Sequence, residues 1–251
     1  DFNIPDQVFE VARALHADVF INAAAYTAVD KAESEPNVAN AVNGASVGAL
    51  AEAAVERGVP LVHLSTDSVF DGSGHSPRAP DAETGPLSQY GRSKLLGETL
   101  IARYAPRAVI LRTSWVFSAH GANFVKTMLR LGAERDRLGI VSDQIGGPTP
   151  AADIADACLK LAAALSTGQA GGTYHFSGAP DVSWADFARE IFRQAGQSTV
   201  VENIPTSDYP TPVQRPLNSR LECGSLAADF GIARPDWRTG LAAVLKELQA
   251  I

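Results

Sequence analysis

Short apolar runs alternate with amphipathic stretches along this chain, and that alternation restricts the fold more than any other feature. Residues 6–16 carry apolar side chains at helical spacing, among them Val8, Val11, Ala12 and Leu15. ADVFINAA follows, a brief apolar strand that ends in small residues. The stretch 45–56 is alanine-rich and helical, and Arg57-Gly58 stops it. Residues 59–65 read as the next strand, 87–104 as a helix and 108–116 as a β-rich run. A helix over 123–134 and a brief strand over 138–141 complete the series. Strands separated by helices of this length build βαβ units, a parallel sheet and right-handed crossovers.

The texture changes near residue 143. DQIGGPTPAADIADA places a Gly-Gly-Pro and a second proline ahead of a helix. A strand (GGTYHFSG), a helix (WADFAREIFRQAG) and a strand (VVENI) come next. A proline-rich turn, LNSRLECG and two closing helices end the chain. The expected fold class is α/β, a Rossmann-like doubly wound parallel sheet with a smaller C-terminal α/β substrate lobe. The expected division is 1–142 for the NAD(P)-binding sheet and 143–251 mainly for the lobe, interleaved with the first. The first residue is Asp1, not methionine, and the chain opens on a crossover helix. That start predicts that βαβ elements of the natural protein precede it.

Composition narrows the function. The 251 residues are 45% hydrophobic and 20% charged, ordinary values for a globular chain large enough to bury a sizeable core. A formal charge of −7 argues against a protein that tracks nucleic-acid phosphates. There is no run of eighteen apolar residues and no signal-peptide pattern, so neither a membrane nor export is expected. The two cysteines, Cys158 and Cys223, have no partner at metal spacing. Cys158 falls where a helix wants a small apolar residue, and a buried free thiol in a reducing, cytoplasmic compartment fits both facts.

Ligands of open α/β sheets bind outside the carboxyl ends of the strands. Three segments leave strands at that edge: residues 22–27 (NAAAYT), 65–68 (STDS) and 112–115 (RTSW). Tyr90 and Lys94 follow the second of them, four residues apart in SQYGRSKLLGE. On a helix they share a face. A lysine charge beside a phenol would pull the tyrosine below its usual value near 10, and a phenol so tuned can give a proton to a developing alkoxide. Thr66, at the end of the apolar run VPLVHLS, could aim its hydroxyl at the same oxygen. The plain alternative is a surface helix that carries an aromatic and a lysine on one side. Asp67 and Asp71 bracket a turn and could equally cap its amides. Trp115 could wall a pocket or pack in a core. Arg215, Asn218 and Arg220 in QRPLNSRL could grip a phosphate or hold a surface loop. A glycine-rich phosphate loop is absent from the sequence.

STDSVFDG, YGRSK, RTSWVF, NFVKTMLR, DQIGGPT and RPLNSRL occur in that order. Together they make the chain resemble the dTDP-4-dehydrorhamnose reductases, members of the extended short-chain dehydrogenase/reductases. The resemblance covers essentially the whole chain, from NAAAYTAVDKAESEP to PDWRTGLAAVLKEL. It implies a Rossmann domain with a small C-terminal substrate lobe. It implies reduction of dTDP-4-dehydro-β-L-rhamnose to dTDP-L-rhamnose by NADPH or NADH. It makes Tyr90 the proton donor, Lys94 the residue that binds the nicotinamide ribose and tunes Tyr90, and Thr66 the residue that orients the keto oxygen. Asp67, Trp115, Arg215 and Asn218 would contact the sugar nucleotide. Ala25, Tyr26 and Thr27 would line the cofactor, with Asp1 and Phe2 near its adenine. The expected partners are the dTDP-sugar and, as one oligomeric option, a second copy in a homodimer.

Two departures from the family pattern stand out. The family usually has tyrosine where this chain has Ser68. Its first strand, its G-x-x-G-x-x-G turn and its second strand, roughly forty residues, are expected ahead of Asp1. Two rival readings share the motifs. Sugar-nucleotide epimerases and dehydratases also carry Tyr-x-x-x-Lys but regenerate a retained cofactor. The regulatory β subunit of methionine adenosyltransferase resembles the family and serves as a binding partner.

Overall fold

The computed structural model describes residues 1–104 and 107–250. Helix α1 (Pro5–Ala14) begins on a proline, whose missing N–H costs nothing in a first turn, and buries Val8 and Ala12. Strand β1 (Phe20–Asn22) follows, then short helices α2 (Val29–Ala32) and α3 (Pro36–Asn40). A π-helical turn (Ala41–Ala45) joins α3 to α4 (Ser46–Arg57). Gly58, at φ +64°, ends α4 in the left-handed conformation that glycine adopts without strain. Next come β2 (Leu61–Thr66), α5 (Gln89–Tyr104), β3 (Ala108–Thr113) and β4 (Val116–Phe117). Asn123 caps α6 (Phe124–Glu134) by accepting from the amide of Lys126. Strands β5 (Arg137–Val141), β6 (Ile145–Gly146) and β7 (Thr149–Pro150) lead into α7 (Ala151–Ser166). Strands β8 (Gly172–His175) and β9 (Val182–Ser183) precede α8 (Trp184–Gln194), which Ser183 caps. Strands β10 (Val200–Ile204) and β11 (Asn218–Ser219) and helices α9 (Gly224–Phe230) and α10 (Trp237–Glu247) close the chain.

The main sheet has the order β1-β2-β3-β8, and all its pairs are parallel. Alternation along its strands splits two apolar layers. Leu61, Ala108 and Ile110 face a cluster with Val8, Val47, Ala51 and Ile101 from α1, α4 and α5. Val62, Val109 and Leu111 face the other way, onto Ile154, Leu161 and Leu165 of α7 and Leu226 of α9. Helices on both faces of a parallel sheet are the arrangement expected from the sequence. Burying a leucine fully, as at Leu61 and Leu111, stabilises the fold by roughly 2 kcal/mol each.

Beyond residue 143 one strand returns to the main sheet. Strand β8 comes back to pair with β3, so the later part of the chain supplies the edge of the first sheet. The remainder forms small sheets: β10 beside β5, β11-β6-β9, and β4 beside β7. These pack with α6, α8 and α10 around Met128, Phe187, Phe192, Trp237 and Leu241.

Three local differences from the sequence reading have physical causes. The run 108–116 is not one strand: it stops at Thr113, and Trp115 at φ +48° turns the chain before β4. Helix α5 begins at Gln89, because the Ser88 hydroxyl accepts from the amide of Gly91 and so acts as its start. The stretch between β1 and α4, unassigned by periodicity, holds α2, α3 and the π turn. Both cysteines are free and buried. Among the described residues no helix is long and apolar enough to cross a membrane, and no group of three or more His, Cys, Asp and Glu side chains could hold a metal.

Candidate active site

One cavity of about 650 Å³ opens where β1, β2 and β3 end. The loop after β1 gives it Ala23, Ala25 and Thr27; β2 and its turn give Ser65, Thr66 and Asp67. Residues 113–116 after β3 give Thr113, Ser114, Trp115 and Val116. Helix α5 contributes Tyr90 and Lys94, and α7 covers the apolar side with Ile154, Cys158 and Leu159. The structure therefore brings Thr66, Asp67, Tyr90, Lys94, Trp115, Ala25 and Thr27 to one wall.

Tyr90 and Lys94 stand one helical turn apart, but their chemistry differs from the sequence expectation. The Tyr90 phenol is pushed up to about 12, chiefly because it is withdrawn from water. A hydrogen bond from Thr66 offsets part of this, and the Asp67 carboxylate adds to it. Lys94 is buried, and its ammonium is pushed down to about 8 by the same withdrawal, against the pull of Glu98. Its Nζ does not act on the phenol. It donates to the Leu64 carbonyl at 2.7 Å and lies 3.4 Å from His63 Nε2. The expected depression of the tyrosine is thus reversed in this geometry, because the lysine turns into β2 and burial dominates.

Thr66 Oγ is fixed twice. It accepts from the amide of Ser68 at 3.1 Å and donates to Asp67 Oδ1 at 3.1 Å. Asp67 is buried and its carboxyl is raised by loss of water, against hydrogen bonds from Ser219 and Thr66. Ser68, where the family pattern has tyrosine, is outside the cavity wall.

Trp115 pairs face to face with Trp184, 3.6 Å between centroids and 12° between planes. A bulky residue at positive φ is strained and persists only where its surroundings hold it. Trp184 and the close approach of Gly146 are those surroundings: a Cβ on Gly146 would stand 2.8 Å from the Trp115 ring.

Several residues that build the site escaped the sequence reading. Asn43, in the π turn, accepts from the Tyr26 amide at 2.8 Å and donates to the Tyr26 carbonyl at 3.0 Å and to Ser93 Oγ at 2.9 Å. Ser93 in turn donates to the Tyr90 carbonyl. The loop after β1 is thereby tied to α5 between its two key side chains. Glu98, one turn beyond Lys94, accepts from Ser65 Oγ at 2.5 Å and from both Nε and Nη2 of Arg112. That ion pair is almost fully buried. A charged residue in the middle of AVILRT was the available signal for Arg112. For Glu98 the signal was its spacing, two turns from Tyr90 on the same face. Trp184 and Ser219 carried no signal of their own.

Five predicted residues lie off the cavity wall. The side chain of Tyr26 donates to Glu35 at 2.8 Å. Asp1 accepts from the amide of Asn3, and Phe2 packs against the α1–α4 cluster. Arg215 forms an ion pair with Asp30, 2.7 Å to each oxygen. Asn218 is buried and donates to the carbonyls of Ser73 and Ser76, so it secures a loop. Its neighbour Ser219, not Asn218, reaches Asp67.

Residues 1–250 match the family model described as the RmlD substrate binding domain. The chain is 50% identical over 227 residues to a dTDP-4-dehydrorhamnose reductase of Sinorhizobium fredii, covering 88% of this chain and 77% of that protein. It is 42% identical to the dTDP-4-dehydrorhamnose reductase of Escherichia coli K12, covering 99% of this chain and 85% of the relative. The crystal structure of the dTDP-4-dehydrorhamnose reductase of Bacillus anthracis in complex with NADP superimposes with a TM-score of 0.91 at 35% identity. That match covers 98% of this chain and 86% of the other.

Proposed function

The chain belongs to the dTDP-4-dehydrorhamnose reductase family, and on that basis we propose that it reduces the 4-keto group of dTDP-4-dehydro-β-L-rhamnose, giving dTDP-L-rhamnose. The observation that carries the reading is the meeting of Thr66, Tyr90 and Lys94 in one cavity at the carboxyl ends of a parallel sheet. The wall suits a nicotinamide nucleotide: Ala23 and Ala25 leave the backbone after β1 open to close approach, and the buried hydroxyl of Thr113 has no partner among the described residues. NADPH is the cofactor favoured by the NADP-bound relative. Ala25, Thr27 and Lys94 would hold it, and when bound it supplies the hydride.

Tyr90 performs the proton step. At about 12 its phenol stays protonated throughout the physiological range, so the acid is loaded before substrate arrives. An alkoxide formed at the sugar C4 is far more basic than a phenolate, and the proton moves downhill from Tyr90 Oη to that oxygen. Thr66 Oγ, held by the Ser68 amide, turns its one hydrogen from Asp67 to the keto oxygen and so directs the ketone toward the phenol. Trp115 bounds the sugar side of the cavity. Asp67 is the one carboxylate on the described wall, whereas a dehydratase needs a pair beside the threonine. This favours simple reduction.

The same reading treats 1–142 as the cofactor-binding part and 143–251 as mainly the substrate part, with the protein in the cytoplasm and a homodimer as a permitted assembly. The test is a spectrophotometric assay of the protein as its organism makes it, with the dTDP-keto-sugar and NADPH. Stoichiometric loss of reduced cofactor with formation of dTDP-L-rhamnose is expected. Turnover of the sugar nucleotide without net cofactor oxidation would assign an epimerase or dehydratase instead.

A further inference from the structure

Trp184 touches none of the reacting groups, yet it sets the geometry of a residue that faces the cavity. The backbone around Trp115 is fixed by hydrogen bonds. The Trp115 carbonyl accepts from the Thr149 amide at 3.1 Å, and Ser114 Oγ donates to the Gly147 carbonyl at 2.9 Å. Those bonds leave the side-chain torsions of Trp115 free, so the plane of its indole is set by packing. One face of the ring lies on Trp184, 3.6 Å between centroids and 12° between planes, and its Cε2–Cζ2 edge abuts Gly146. Of the stacked pair, Trp115 alone lines the cavity.

Trp184 is itself anchored. It is the first residue of α8, and Ser183 caps that helix by accepting from the Asp186 amide at 3.0 Å. Ser183 pairs with Ile145, and Val182 with Gly146, in the β6–β9 ladder. One short ladder thus places both groups that clasp the Trp115 ring. Trp184 also packs on Phe124 at the start of α6, 4.6 Å between centroids, which ties it to the core of the lobe. Phe187 and Trp237 of that core are buried, whereas Trp184 is only partly so. Its place at the margin of the core, behind the cavity wall, suits a support for Trp115.

We propose that Trp184 is a positioning residue for the sugar nucleotide: by stacking on Trp115 it fixes the plane of the indole that bounds the sugar side of the cavity. This rests on the reading of Trp115 as that wall. A ring already held in one plane has no ordering cost left when substrate binds, whereas a loose ring must be ordered at that moment. The role is confined to binding. Thr66, Tyr90 and Lys94 line the cavity themselves and Trp184 does not, so proton delivery to a bound ketone is independent of it. A stacked aromatic pair is worth up to about tenfold in an equilibrium, which bounds the effect of losing it.

The test is calorimetric binding of dTDP-L-rhamnose, which needs no turnover, to the protein as its organism makes it and to variants at both tryptophans. Trp184→Leu should weaken binding by roughly five- to tenfold while NADPH affinity stays native. In steady state its KM for the keto-sugar should rise by the same factor with kcat nearly unchanged. Trp184→Phe, which keeps a flat face, should restore most of the affinity. Where the leucine variant does not fold, Trp184→Met carries the same expectation. Trp115→Leu should lose at least as much as Trp184→Leu, and the two together no more than Trp115→Leu alone, because Trp184 acts only through Trp115. Native affinity in Trp184→Leu overturns the proposal. So does a full additional loss in the double variant, or a matching loss of NADPH affinity, which would mark a general structural role. Native protein that binds dTDP-L-rhamnose without reducing the keto-sugar would refute the reductase reading and leave this result standing. Native protein that does not bind dTDP-L-rhamnose would overturn that reading and the proposal with it.

Discussion

Tyr90 keeps its proton because withdrawal from water outweighs the hydrogen bond from Thr66. Lys94 shows the same preference with the opposite sign, since burial there favours the uncharged form. The lysine has a consequence for stability. Its folded value of about 8 lies below the 10.5 of an exposed lysine. Between those values the unfolded chain binds more protons than the folded one, so the contribution of Lys94 to stability grows as pH rises. It is complete above 10.5 and lost as pH falls through 8, a swing on the order of 3 kcal/mol. Urea unfolding of the native protein and of Lys94→Met at pH 7.5 and pH 10 should show the native protein gaining on the variant at the higher pH. Parallel changes would contradict the burial argument. The spacing of Tyr90 and Lys94 was legible, because helix geometry alone puts both on one face. The target of Nζ was not, because the Leu64 carbonyl and His63 belong to a strand that only the tertiary fold brings alongside α5.

Helix α5 is the element that delivers the chemistry, and close packing fixes its position. A Cβ on Gly91 would stand 2.2 Å from the Ser68 carbonyl oxygen, and one on Gly97 would stand 2.2 Å from that of Asn43. Only glycine allows both approaches, one beside each end of the Tyr90–Lys94 turn. The buried Arg112–Glu98 pair, with Ser65, ties the same helix to β2 and β3. Removing one partner from such a pair leaves a buried charge uncompensated and costs about 3–5 kcal/mol. Replacing both with apolar side chains costs much less. Arg112→Met should therefore lower the unfolding free energy by that amount, and Glu98→Leu with Arg112→Met should recover most of it. Denaturant titration of the three proteins decides, and a double variant as unstable as the single one would contradict the ion-pair account. The helices and strands of the main sheet were readable from periodicity. The π turn at Ala41–Ala45 and the break at Trp115 were not. Each is imposed by contacts from distant residues: Ser93 and Tyr26 on Asn43, and Trp184 and Gly146 on Trp115.

At the scale of the whole molecule, the parallel order β1-β2-β3-β8 gathers three strand ends at one edge, and α5 crosses beside them. The α/β class follows from alternation and needed no coordinates. The return of β8 to the sheet and the reach of Ser219 to Asp67 did need them, since both join residues far apart in sequence. The loop at Arg215 and Asn218 shows the reverse: its polar residues looked ready for a ligand, yet in the fold they bind Asp30 and the carbonyls of the 73–76 turn. The central claim is that Tyr90 carries the proton to the reduced ketone. Steady-state turnover of Tyr90→Phe beside the native enzyme, with NADPH binding measured on both, tests it most directly. The account predicts a fall in kcat of roughly 10²–10⁴ with cofactor affinity nearly unchanged. A Tyr90→Phe enzyme that turns over at close to the native rate would contradict it.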